Sequence, residues 1–101
     1  MDWNYNIKIY PAAERDLLKI IEYLNTLSQK VALNYYDELT EQIASLSSMP
    51  ERCPHPKDLA LISKGYRYLI VRDYLVFYKV IGGTVEIHRS LYGRRNYQAL
   101  L

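Results

Sequence analysis

Residues 65–93 read GYRYLIVRDYLVFYKVIGGTVEIHRSLYG, and this stretch decides the fold. Tyr66–Val71 and Tyr74–Ile81 are rich in tyrosine, valine and isoleucine, residue types that suit a pleated, half-buried surface. The turn-like pair Arg72-Asp73 separates them. Gly82-Gly83 is a two-residue hairpin signal, and Thr84–Leu91 is the partner strand that it implies. The stretch therefore predicts an antiparallel meander. Gly93 ends it, and Arg94–Leu101 follows as a short tail with about one helical turn.

On the N-terminal side, Tyr5–Tyr10 alternates apolar and polar residues, the period of a strand with one wet face. Pro11 stops that strand and is itself a favoured first residue of a helix. Ala13, Leu17, Ile20, Ile21, Leu24 and Leu27 then form one apolar stripe, which predicts a helix from Pro11 to Ser28. Glu14 and Asp16 sit in its first turns, where carboxylates complement the helix dipole. Ala32, Tyr35, Tyr36, Leu39, Ile43 and Leu46 form a second stripe, on a helix from Gln29 to Ser48. Both tyrosines are expected to pack. The break between the helices is short, so they should be antiparallel neighbours. Pro50, Pro54 and Pro56 forbid further helix and open a long loop from Met49 to Gly65.

The order is strand, helix, helix, strand, strand, strand. In 101 residues two amphipathic helices can bury their stripes only against the sheet. The fold class expected is α+β: a helical hairpin on one face of a mostly antiparallel four-stranded sheet, in a single domain spanning residues 1–101. The other sheet face is left for solvent or a partner.

Composition narrows the chemistry. One cysteine, Cys53, rules out an internal disulfide and fits a reducing cytoplasm. The start MDWNYNIKIY has neither the apolar core nor the cleavage site of a secretory signal, and no apolar run is long enough for a membrane span. There is no phosphate-cradling glycine loop, zinc pattern or nucleophile elbow. With two distant histidines, His55 and His88, no metal or other cofactor is expected. His88, inside a strand, reads first as a structural residue.

The net charge of +2 hides an asymmetry. Residues 1–50 carry four cations against seven carboxylates, and residues 51–101 carry nine against four. A basic half points to a localised anionic partner. Arg67, Arg72, Arg89, Arg94 and Arg95 interleave with Tyr66, Tyr68, Tyr74, Tyr78, Tyr92 and Tyr97. Guanidinium forks match phosphate oxygens, and tyrosine stacks on an unpaired base. A lone arginine on a sheet is ordinarily just solvated. Three of them within Arg89–Arg95, beside two tyrosines, say more. Such a set can cleave RNA without metal: one group takes the 2′-OH proton, arginines hold the charge on phosphorus, and an acid protonates the leaving oxygen. That chemistry requires the guanidinium groups to gather on the face the helices leave uncovered.

The pieces YRYLIV, DYLVFYKV, VEIHRSLYG and GRRNY, with YPAAERDLLKIIEYL and MPERCP before them, resemble the RelE/ParE superfamily of toxins across nearly the whole chain. The resemblance implies a bacterial toxin encoded beside an antitoxin that wraps it and blocks its working surface. It implies one of two activities: cleavage of mRNA on the ribosome, as in RelE-like members, or inhibition of DNA gyrase without nuclease activity, as in ParE-like members. A degenerate toxin that only binds its antitoxin is the third possibility. Under the first activity, Arg67 or Arg72 matches the family arginine of the second or third strand. Arg94 or Arg95 matches the arginine after the last strand, and Tyr97 the late tyrosine. Lys57 and Lys64 loosely echo the lysine pair before the meander, and Tyr92 joins them as a nucleic-acid contact. Tyr97 lies closer to the arginines than in the RelE-like pattern. The helical hairpin and GRRNY look more like ParE-type members.

Overall fold

The computed structural model describes residues 4–93 and 97–101. The elements run β1 (Asn6–Ile9), α1 (Pro11–Leu27), α2 (Gln29–Ser45), a 3-10 turn (Pro50–Arg52), α3 (Leu59–Ser63), β2 (Arg67–Val71), β3 (Tyr74–Ile81), β4 (Thr84–Tyr92) and a last 3-10 turn (Tyr97–Leu100). The α+β architecture expected from the sequence is present. The sheet order is β1-β4-β3-β2, with β1 parallel to β4 and the other pairs antiparallel.

The hairpin of helices turns on one residue. Ser28 is extended, closes α1 by donating its N–H to Leu24 O, and opens α2 by accepting Val31 N–H on its hydroxyl. A side-chain acceptor at that position satisfies a helix N–H that would otherwise have no partner. The second helix stops at Ser45, three residues before the expected Ser48. Arg52 explains the stop: its guanidinium donates to Ser45 O, Ser48 O and Met49 O, and so takes up carbonyls at the end of α2. Met49 then adopts a left-handed backbone (φ 49°) ahead of Pro50.

The main core lies between the hairpin and one sheet face. Ala13, Leu39, Leu46, Val76, Tyr78 and Ile87 are buried there. Tyr78 carries its hydroxyl inward and donates it to Pro50 O. Burial holds that phenol in its neutral form, raising its pKa. Tyr35 packs edge-on against Tyr74, as its stripe predicts. Tyr36, expected to pack as well, is 49% exposed, because α2 turns it away from the sheet.

The opposite face is not left open along its length. The long loop contains α3, too short to show a stripe. Leu61 of α3 packs with Tyr66, Phe77 and Leu91 in a second core, ringed by Tyr97, Leu100 and Leu101. The sheet is thus covered on both sides at one end, and only the remainder of its outer face is accessible.

Candidate functional site

The accessible part of the outer face carries a row of polar residues drawn from β1, β4 and β3 and from Tyr66, the residue before β2. Lys8 of β1 is paired with Glu86 of β4, and Glu86 with Lys79 of β3. Lys79 Nζ lies 4.6 Å from the centre of the Tyr66 ring, at the start of β2. The register between β3 and β4 breaks here: Phe77 faces Arg89 and Tyr78 faces Ile87, so His88 is the extra residue of a bulge. Bulges re-aim side chains and are common beside functional sites.

His88 sits between two tyrosines. Tyr10 stacks on its ring at 4.3 Å, and Tyr66 meets it edge-on at 5.3 Å. His88 Nε2 is 3.2 Å from Glu86 Oε1, and Nδ1 is 3.3 Å from the Tyr66 hydroxyl. One neutral tautomer satisfies both contacts: Nε2–H donates to the carboxylate, and Nδ1 accepts the phenol proton. The result is a line of phenol, imidazole and carboxylate. His88 beside it, and then Tyr10, hold the Glu86 carboxyl below its ordinary range. The same carboxylate pushes the Tyr10 phenol up. Burial pushes Tyr66 up, so that phenol keeps its proton at neutral pH and serves as a donor. Lys8 Nζ lies 5.2 Å from the Tyr10 ring and completes a positive rim with Lys79.

The described arginines do not join this row. Arg67 donates to Glu51 O at 2.9 Å and Cys53 O at 2.6 Å, and so ties the loop to the sheet. Arg72 points to the helical layer. It donates to Glu38 Oε1 at 2.7 Å and lies 4.5 Å from the centre of the Tyr35 ring. Arg89 is bound to α1: Nε donates to Asp16 Oδ2 at 2.7 Å and Nη2 to Oδ1 at 2.9 Å. The expected gathering of guanidinium groups on the uncovered face is therefore corrected for these three. The physical reason is that each finds its own carboxylate or carbonyl on a different support. Arg94 and Arg95 lie outside the described residues.

The other expected residues are dispersed. Tyr97 packs at a tilt against Phe77, ring centres 4.9 Å apart, as part of the second core. Lys57 lines an outer-face cavity of about 350 Å³ with Tyr68, Ile70 and Tyr97. Lys64 follows α3 and is exposed. Tyr92 leans edge-on against Tyr74 at the far end of the sheet. Of the residues that do come together, Tyr66 was named with the arginine–tyrosine set and His88 was read as structural, whereas Tyr10, Lys8, Lys79 and Glu86 were not singled out by sequence. Glu86 and His88, two apart on one strand, were the available signal. Among the described residues no group of histidine, cysteine and carboxylates is arranged to hold a metal ion.

The model of the ParE toxin of the type II toxin–antitoxin system parDE matches residues 7–97. The chain belongs to the ParE toxin family. ParE-family membership makes it a toxin of a type II toxin–antitoxin system, with an antitoxin as its partner. Solved structures share the fold. A chain of the chromosomal ParDE system from P. aeruginosa superposes with a TM-score of 0.76 at 20% identity, over 90% of this chain and 98% of that one. A chain of the RelBE2 toxin–antitoxin complex from Mycobacterium tuberculosis gives 0.64 at 22% identity, over 91% and 94%. Among curated proteins none matches the sequence. No described helix is long and apolar enough to cross a membrane.

Proposed function

We propose that this ParE-family toxin stops growth by binding DNA gyrase as a protein ligand, and not by cutting RNA. One observation carries the reading: Arg67, Arg72 and Arg89 are all engaged by internal partners. Phosphoryl transfer needs cations aimed at the phosphorus, and a net charge of +2 gives little purchase on ribosomal RNA. The helical hairpin instead exposes Leu18, Tyr23, Leu27, Leu33 and Tyr36. Exposed apolar and aromatic groups of this kind favour a protein target.

The test is a supercoiling assay with purified toxin and gyrase. Lost supercoiling or trapped cleavage complexes support the reading; unaffected gyrase at saturating toxin overturns it.

Ribosome-dependent mRNA cleavage is the second reading, favoured by the Tyr66–His88–Glu86 line. In it His88 or Tyr66 moves the proton and Lys8 and Lys79 contact phosphate. Arg94, Arg95 and Tyr97 then supply the rest of the charge and the stacking surface. Primer extension on mRNA translated with purified ribosomes and toxin tests it. Codon-positioned cuts lost on His88→Ala support it, and intact mRNA excludes it.

A further inference from the structure

Strand β4 outruns β1. β1 pairs only with Thr84–Ile87, and beyond that point α1 takes the place of a neighbouring strand. Asp16 accepts the Ser90 N–H at 3.0 Å, where a strand carbonyl would otherwise stand. Next to this contact the two layers part. They leave an open cleft of about 390 Å³, walled by Ile20 and Tyr23 of α1 and by Tyr74, Leu91 and Tyr92 of the sheet, with Asp16, Lys19 and Ser90 in its lining.

Two groups in that lining are unspent. Ser90 is 2% exposed, yet its hydroxyl has no hydrogen-bond partner among the described residues. A buried polar group left unpaired is costly, and a ligand that pairs it recovers that cost. Lys19 makes no ion pair among the described residues, whereas the Asp16 carboxylate is already filled by Arg89 and the Ser90 N–H. The free charge of the cleft is therefore positive. Lys19, Tyr23 and Leu27 recur every four residues and so run out of the cleft along one side of α1. Tyr23 and Leu27 are both more than half exposed. A small molecule would leave that row bare; a protein segment covers it.

We infer that this cleft is an anchor pocket for the antitoxin. It takes an aromatic side chain with a polar tip, tyrosine or tryptophan, whose ring lies among Tyr23, Tyr74 and Tyr92 and whose tip meets Ser90 Oγ. A neighbouring carboxylate of the same segment pairs with Lys19. Aromatic anchors in desolvated pockets carry most of an interface's energy. The inference rests on the toxin–antitoxin reading; it shares Tyr23 and Leu27 with the apolar face proposed for gyrase, but its test measures antitoxin binding alone.

The test is calorimetric titration of the full-length toxin with the antitoxin encoded beside it. The toxin variants are Tyr23→Ala, Lys19→Glu and Ser90→Ala, each checked for unchanged helicity and melting. Tyr23→Ala and Lys19→Glu should each weaken binding by about tenfold or more, and the Lys19 effect should shrink in high salt. Ser90→Ala should weaken binding several-fold while the free toxin melts no lower. If Tyr23→Ala and Lys19→Glu both bind within twofold of the parent, the pocket assignment is overturned and the antitoxin docks elsewhere. A parent toxin that fails to bind that antitoxin at all overturns the toxin–antitoxin reading itself, and the pocket with it.

Discussion

Asp16 of α1 grips Arg89 of β4 with both carboxylate oxygens, at 2.7 and 2.9 Å, across 73 residues of sequence. The same Oδ2 accepts the Ser90 N–H. One side chain thus fixes the helical layer to the strand edge that β1 leaves uncovered. Arg89 passes the restraint on: its Nη1 donates to Leu100 O at 3.4 Å. Asp16 raises the pKa of the Arg89 guanidinium, which therefore stays charged at any working pH.

Asp16→Ala should cost about 3 kcal/mol, because it leaves a partly buried cation without its carboxylate and the Ser90 N–H without an acceptor. Equilibrium urea denaturation measures it. The double variant with Arg89→Ala should lose much less than the sum of the two single losses, since the charge no longer needs a partner. An additive double variant would mean that the pair is not coupled.

At Arg72 the ranking of two substitutions is informative. This residue holds a left-handed backbone, φ 54°, in the β2–β3 turn, where its ion pair to Glu38 is half exposed. Arg72→Gly relieves the left-handed backbone strain and loses a solvent-screened surface pair, two small effects of opposite sign, so it should be nearly neutral. Arg72→Ala loses the pair and keeps the strain. It should melt measurably lower than the glycine variant.

Tyr78→Phe tests the junction between sheet and loop. The buried hydroxyl donates to Pro50 O, and its removal leaves that carbonyl unpaired at a cost of about 1–2 kcal/mol. Because folding raises the pKa of this phenol, its contribution is complete below pH 10 and is lost as the solution becomes more alkaline. The parent should therefore lose stability in strong base more steeply than Tyr78→Phe. Melting curves across the alkaline range check this.

Glu86 governs the acid side. Its folded pKa lies below the ordinary carboxyl value of 4.5, chiefly through His88. A depressed pKa gives stability that is fully present above the unfolded value and is lost as pH falls through the folded one. Glu86→Gln should flatten the dependence of melting temperature on pH below about 4.5. An unchanged acid limb in that variant would show that other carboxylates set it.

Much of the fold could be read from periodicity. The stripes of α1 and α2 and the alternation of β1 are local patterns, and the hairpin turns carry their own residues. The second core could not be read in this way. Leu61 lies on a helix of five residues, too short for a stripe, and Tyr97 reaches Phe77 only through the folded sheet. The polar row was hidden for a related reason. Lys8, Lys79 and Glu86 are strangers in sequence and become neighbours through strand pairing. The arginines misled because charge pattern shows where cations are dense, not which carboxylate each will find. Glu38 and Asp16 sit on helices 34 and 73 residues away.

The parallel partnership of β1 with β4 makes the sheet depend on contacts distant in sequence. The first strand to leave the ribosome is laid beside the last, so a nascent chain that has displayed only its helices and half its meander has no complete sheet and no seat for Asp16 on Ser90. A sheet wired in this way closes only through partners about eighty residues apart in the chain, so its last contacts to form are the ones that join β1 to β4 and α1 to Ser90.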